Sequence, residues 1–105
     1  MAKIAIPKHM MGFQLGESTQ IHTGGFLEAT PHCVIRNAQL AGKRICRNAF
    51  PLFMEPNFPE VMKTPEGIDP ENVYKTQHKI PQIRDRWVNG MLFKDFHLKT
   101  IKYYS

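Results

Sequence analysis

Apolar and polar positions alternate most clearly in two stretches separated by a polar turn. From Phe26 to Ile35, Leu27, Ala29, Cys33 and Ile35 fall on one face of an extended chain, and Phe26, Glu28, Thr30, His32 and Val34 fall on the other. This is the two-residue period of a β-strand. Pro31 has no N–H to give to a ladder, so the strand is expected at a sheet edge or with a bulge at that point. NAQLAGKR, residues 37–44, reads as a turn, and ICRNAFPLFM, residues 45–54, returns as a second apolar strand. Its alternation sets Arg47, Ala49 and Phe53 on one face and Cys46, Asn48, Phe50, Leu52 and Met54 on the other.

The flanks are less regular. Pro7 limits ordered structure in residues 1–10, which read as an opening loop, and Met11 to Leu15 predicts a short strand ending at Gly16. ESTQIHT, residues 17–23, suits a helical turn or a loop that contains His22. Gly24 and Gly25 then give the backbone freedom for a sharp reversal. Pro56, Pro59, Pro65 and Pro70 break residues 55–74 into a long connection with one helical turn near Val73. IPQIRDRW, residues 80–87, reads as a short helical or extended segment that packs Trp87. After Asn89 and Gly90, the spacing of Phe93, Phe96, Thr100 and Tyr103 or Tyr104 predicts an amphipathic terminal helix laid on the outside of the sheet. Cys33, Phe50, Leu52, Phe53 and Trp87 are the core candidates.

Composition narrows the class. A chain of 105 residues supports one small core, and 42% hydrophobic with 22% charged residues is close to the globular average. The net charge of +5 would favour anionic partners. Lys43 and Arg44 sit in the predicted turn, however, and Lys75, Lys79, Arg84, Arg86, Lys94, Lys99 and Lys102 are interspersed with apolar residues. That dispersal reads as a solvated face and argues against a dedicated nucleic-acid surface. Cys33 and Cys46 form no CxxC pair, which suits reduced thiols in a cytoplasmic protein. MAKIAIPKHMMGF lacks the apolar core of a signal peptide, and no run is long enough to span a bilayer, so no membrane partner is expected.

Two residues in the strand pair bear on chemistry. Arg47 lies within a strongly hydrophobic run, where a guanidinium needs a carboxylate from the protein or from a ligand. His32 on its strand is compatible both with a hydrogen-bonded strand histidine and with a metal ligand.

FQLGESTQIHTGGFLEATPHCV, RNAFPLFMEP, DRWVNGMLFKDF and KTIKYY together resemble the carboxy-terminal half of the isopenicillin N synthase-like, Fe(II)/2-oxoglutarate-dependent oxygenases. The likeness runs from about Phe13 to Tyr104. It implies a mainly β fold, part of a double-stranded β-helix (a cupin-like jelly-roll), with the amphipathic helix at its end. In that family a His-x-Asp pair and a distal histidine hold iron. The distal histidine is matched by His32 in ATPHCV. The family's Arg-x-Ser motif, whose arginine binds the far carboxylate of 2-oxoglutarate, is matched at Arg47, with Ala49 in place of the hydroxyl residue. Two imidazoles and a carboxylate on one face of ferrous iron leave positions open for cosubstrate and dioxygen, and a fixed guanidinium suits bidentate recognition of a carboxylate.

The resemblance thus implies Fe(II), 2-oxoglutarate as cosubstrate and oxidation of an unidentified small organic substrate, with succinate and carbon dioxide released. The His-x-Asp pair is not in this sequence. Two residues after His9, His22, His32, His78 and His97 stand Met11, Gly24, Val34, Ile80 and Lys99. The pair is expected upstream of Met1, so residues 1–105 read as a single partial domain, the tail half of a catalytic unit with little or no turnover by itself. The alternatives are a noncatalytic basic interaction module, engaging a partner through its charge or its unpaired strand edges, and a nonfunctional gene fragment.

Overall fold

The buried core is assembled from Ile21 near one end of the chain and a run of residues after Val61, while the two stretches with the strongest strand pattern lie outside it. The computed structural model describes residues 2–75 and 82–105. Lys79, His78 and the start of IPQIRDRW fall outside the described residues.

Helix α1 spans Glu17–His22, with Gly16 extended ahead of it and an acidic residue, Glu17, in its first turn, where the helix dipole favours a negative charge. Six residues are too few for an independently stable helix, so tertiary contacts must hold it. Ile21 is fully buried, and the Gln20 amide is satisfied at both ends. Its Nε2 donates to the Val73 carbonyl at 2.8 Å and its Oε1 accepts from the Ala29 N–H at 2.8 Å. The predicted reversal follows at Gly24 (φ 62°) and Gly25 (φ 84°). A Cβ on Gly25 would lie 2.3 Å from the Asn72 carbonyl oxygen, so the chain can pass there only without a side chain.

Strand β1, Val61–Met62, pairs antiparallel with β2, Met91–Leu92, in the register Val61 to Leu92 and Met62 to Met91. Helix α2, Phe93–Tyr104, leaves β2 without a loop, and the Phe93 N–H donates to the Glu60 carbonyl at 2.8 Å. Two 3₁₀ turns, Pro70–Tyr74 and Ile83–Asp85, close the remaining sides. Asp69 caps the first, accepting from the Glu71 N–H at 3.0 Å.

Met62, Val73, Ile83, Trp87, Phe93 and Phe96 pack with Ile21. Trp87 is buried as predicted, and its indole N–H donates to the Met62 carbonyl at 2.9 Å. Burying about 200 Å² of this side chain at roughly 25 cal/mol per Å² contributes at most about 5 kcal/mol. The predicted terminal helix is present and buries Phe93 and Phe96, whereas Tyr103 and Tyr104 remain exposed.

The mainly β expectation is overturned. Among the described residues there is one sheet of two short strands and about 30% helix, which is not a jelly-roll or a part of a double-stranded β-helix. Met11 to Leu15, residues 26–35 and residues 45–54 are irregular, apart from bends at Phe26 and Leu27. Every residue from Thr30 to Glu55 is exposed, including Cys33 and the core candidates Phe50 (99%), Leu52 and Phe53. The physical reason is that alternation specifies which face of a strand would be buried but supplies neither a partner strand nor a layer to cover it. Pro31 and Pro51 also remove ladder donors within the two runs. Residues 37–44 keep their turn character through the 3₁₀ turn Ala38–Leu40 and Gly42 at φ 80°. The radius of gyration, 16.5 Å, exceeds the roughly 13 Å of a compact chain of this length, in keeping with two exposed stretches, residues 2–16 and an arm of residues 30–55.

Candidate functional site

His32 and Arg47 both lie on this arm and both are exposed. The His32 ring has one close side-chain neighbour, Gln14. Gln14 Nε2 lies 2.6 Å from Nδ1, so the amide donates and the imidazole accepts. The Thr30 carbonyl lies 3.3 Å from the same nitrogen and can only accept, so the two neighbours call for opposite ring tautomers. Nε2 of His32 makes no hydrogen bond among the described residues. No hydrogen bond or ion pair joins Arg47 to His32 or to a carboxylate among the described residues.

Iron binding can be tested against these side chains. Among the described residues, no group of three His, Cys, Asp or Glu side chains could hold a metal ion. One imidazole by itself does not meet the facial two-histidine, one-carboxylate requirement of non-haem iron. The described residues by themselves do not fit the metal that the resemblance implies.

The constellations that the fold does bring together lie elsewhere. Arg86 is buried, with 1% of its side chain exposed, and it donates in bidentate fashion to Glu17 at 2.9 and 2.5 Å. A further N–H donates to Thr100 Oγ1 at 3.0 Å, and Thr100 donates its own proton to the Phe96 carbonyl at 2.9 Å. This node ties α1, α2 and the last 3₁₀ turn together. It is a structural clamp in which the charge of a buried guanidinium is matched by a partly exposed carboxylate.

On the surface, Arg84 stacks 4.1 Å over the Tyr74 ring and bonds Glu71 at 2.7 Å. Burial raises the Tyr74 phenol above its ordinary value; the Arg84 cation opposes that rise, and Glu71 adds to it. Beside the Arg86 clamp lies an open cleft of about 300 Å³, lined by Glu17, Phe53, Glu55, Phe93, Phe96 and His97 among others. Neither His32 nor Arg47 lines it. Sequence reasoning did not single out Arg86 or this cleft. Arg86 carries no such signal in sequence, since it follows Arg84 and Asp85 in a charged run and only Trp87 beside it is apolar.

Comparison with protein-family models, with curated proteins and with solved structures finds no match to this chain.

Proposed function

We propose that the chain is the carboxy-terminal part of a non-haem Fe(II)/2-oxoglutarate-dependent oxygenase, contributing His32 and Arg47 to a site completed by other polypeptide, and that alone it turns over no 2-oxoglutarate. The observation that carries this reading is that His32 and Arg47, with their motifs ATPHCV and RNAF, lie on an exposed arm outside the closed core. Neither residue is committed to internal packing, and the folded nucleus of α1, the strand pair and α2 does not depend on them. Arg47 retains the fixed positive charge that a dicarboxylate would need.

Exposure also explains why the isolated chain should be inert. A guanidinium in water gains little from one carboxylate, and one imidazole is not an iron site. The oxidative chemistry belongs to iron and 2-oxoglutarate in enzymes of the resembled type, where a C–H bond is oxidised as succinate and carbon dioxide leave. The part assigned to this chain is one imidazole and one cosubstrate cation.

Complementation tests the reading. The chain is co-expressed with an amino-terminal oxygenase half that bears a His-x-Asp strand, and 2-oxoglutarate-dependent succinate release is measured anaerobically loaded and then aerated. Release that disappears in both His32→Ala and Arg47→Ala is expected. A stable complex that binds no iron and releases no succinate would overturn the proposal, as would release indifferent to both substitutions.

A further inference from the structure

The arm carries a second property that does not depend on iron. From Cys46 to Pro56, no backbone N–H or carbonyl makes a hydrogen bond among the described residues, and Ile45 donates only to the nearby Lys43 carbonyl at 2.8 Å. Large apolar side chains stand in water over the same run: Ile45 is 60% exposed, Phe50 99%, Leu52 82% and Met54 87%. Lys43, Arg44 and Arg47 add three positive charges between residues 43 and 50, with no acidic residue among them. We propose that residues 44–50 are a docking strand that receives an acidic, extended polypeptide segment by β-strand addition.

The chemistry of the run selects the class of partner. Its backbone offers donors and acceptors in alternation, and another extended chain supplies both at matching spacing. The interior of a lipid layer supplies neither, so inserting this run into it would leave polar backbone groups unsatisfied. Nucleic-acid phosphates accept hydrogen bonds but give nothing to the carbonyls. The ladder ends at Pro51, which has no N–H.

Charge then selects the partner's side chains. Antiparallel pairing of two copies centred on Arg47 would set Arg47 opposite Arg47, and directly opposed like charges are unfavourable. A strand bearing a carboxylate opposite Arg47 meets no such repulsion. Alternation places Ile45, Arg47 and Ala49 on one face and Cys46, Asn48 and Phe50 on the other, so the partner needs acidic residues on one face and apolar ones on the other.

The full chain is tested with short synthetic peptides in which valine alternates with glutamate or with lysine, alongside single-stranded RNA and anionic phospholipid vesicles. Binding is followed by fluorescence anisotropy at low and high salt, and backbone amide exchange is measured across residues 44–50. The Val/Glu peptide should bind, slow exchange in 44–50, and weaken as salt is raised. Lys43→Glu with Arg44→Glu, which leaves Arg47 intact, should reverse the preference toward the Val/Lys peptide by at least tenfold, with unchanged Trp87 fluorescence reporting an intact core. Equal binding of the two peptides, no protection in 44–50, or stronger binding to RNA or vesicles would overturn the proposal. None of these readouts involves iron, so failure here and failure of the oxygenase reading are separable.

Discussion

The Glu17–Arg86 pair is the contact on which the folded nucleus should be most sensitive to a change of one heavy atom. Glu17→Gln keeps the shape of the side chain and removes its charge. Opposite unit charges about 4 Å apart interact by about 4 kcal/mol at an effective dielectric of 20. Arg86 is buried, but 32% of the Glu17 side chain is exposed, and water reduces that figure. The glutamine oxygen and Thr100 Oγ1 can still accept from the guanidinium. The expected loss is about 2–3 kcal/mol, below the roughly 3–5 kcal/mol of a fully buried pair broken on one side. For a domain of this size that corresponds to a fall in Tm of about 10–20 °C. The assay is urea unfolding followed by Trp87 fluorescence, with Glu17→Gln, Arg86→Met and the double variant completing a cycle. The double variant should be at least about 1 kcal/mol more stable than Glu17→Gln alone, because it removes the buried charge along with its partner. A loss below about 0.5 kcal/mol in Glu17→Gln, or strict additivity in the cycle, would refute the reasoning.

Other substitutions probe the turn, the phenol and the arm. Gly25→Ala should cost about 2 kcal/mol or more in urea unfolding, since it combines a left-handed φ with a clash against the Asn72 carbonyl; a change within about 0.5 kcal/mol would contradict that geometry. The Tyr74 phenol is raised above 10.0 in the folded chain, so its neutral form is favoured by folding. That contribution is complete below pH 10 and is lost as pH rises through the folded value; ultraviolet titration should show one tyrosine ionising late, and Tyr74→Phe should remove both that phase and part of the alkaline destabilisation. Phe50→Ser with Leu52→Ser should alter stability by less than about 0.5 kcal/mol while improving solubility, because both side chains are largely exposed. A loss of 2 kcal/mol there would place the arm inside the folded nucleus.

Sequence legibility varied with how local each signal was. The terminal helix was legible because Phe93 and Phe96 are spaced on one helical face and bury together, and the reversal at Gly24 and Gly25 because only glycine tolerates that backbone path. Trp87 was legible as core by size alone. The two-residue strands Val61–Met62 and Met91–Leu92 were not, since they are too short to carry a period and are joined across the chain by hydrogen bonds from Phe93 and Gly90. The strongest alternation, in residues 26–35 and 45–54, lacks the partner strands that would convert it into a sheet. The expectation that Arg47 needs a carboxylate assumed burial, and Arg47 is exposed; the buried arginine is Arg86, whose carboxylate arrives from Glu17 at the far end of the sequence. His32 and Arg47 were singled out through their motifs, and their placement on an exposed arm could not be read from spacing.

The central proposal is that this chain supplies one iron ligand and one cosubstrate cation to a site that it does not form by itself. It is tested most directly by anaerobic Fe(II) titration of the isolated chain in the presence of 2-oxoglutarate, followed by aeration and measurement of succinate. No stoichiometric iron binding and no succinate above the metal-only background are expected; robust turnover of 2-oxoglutarate by the chain alone would contradict the account.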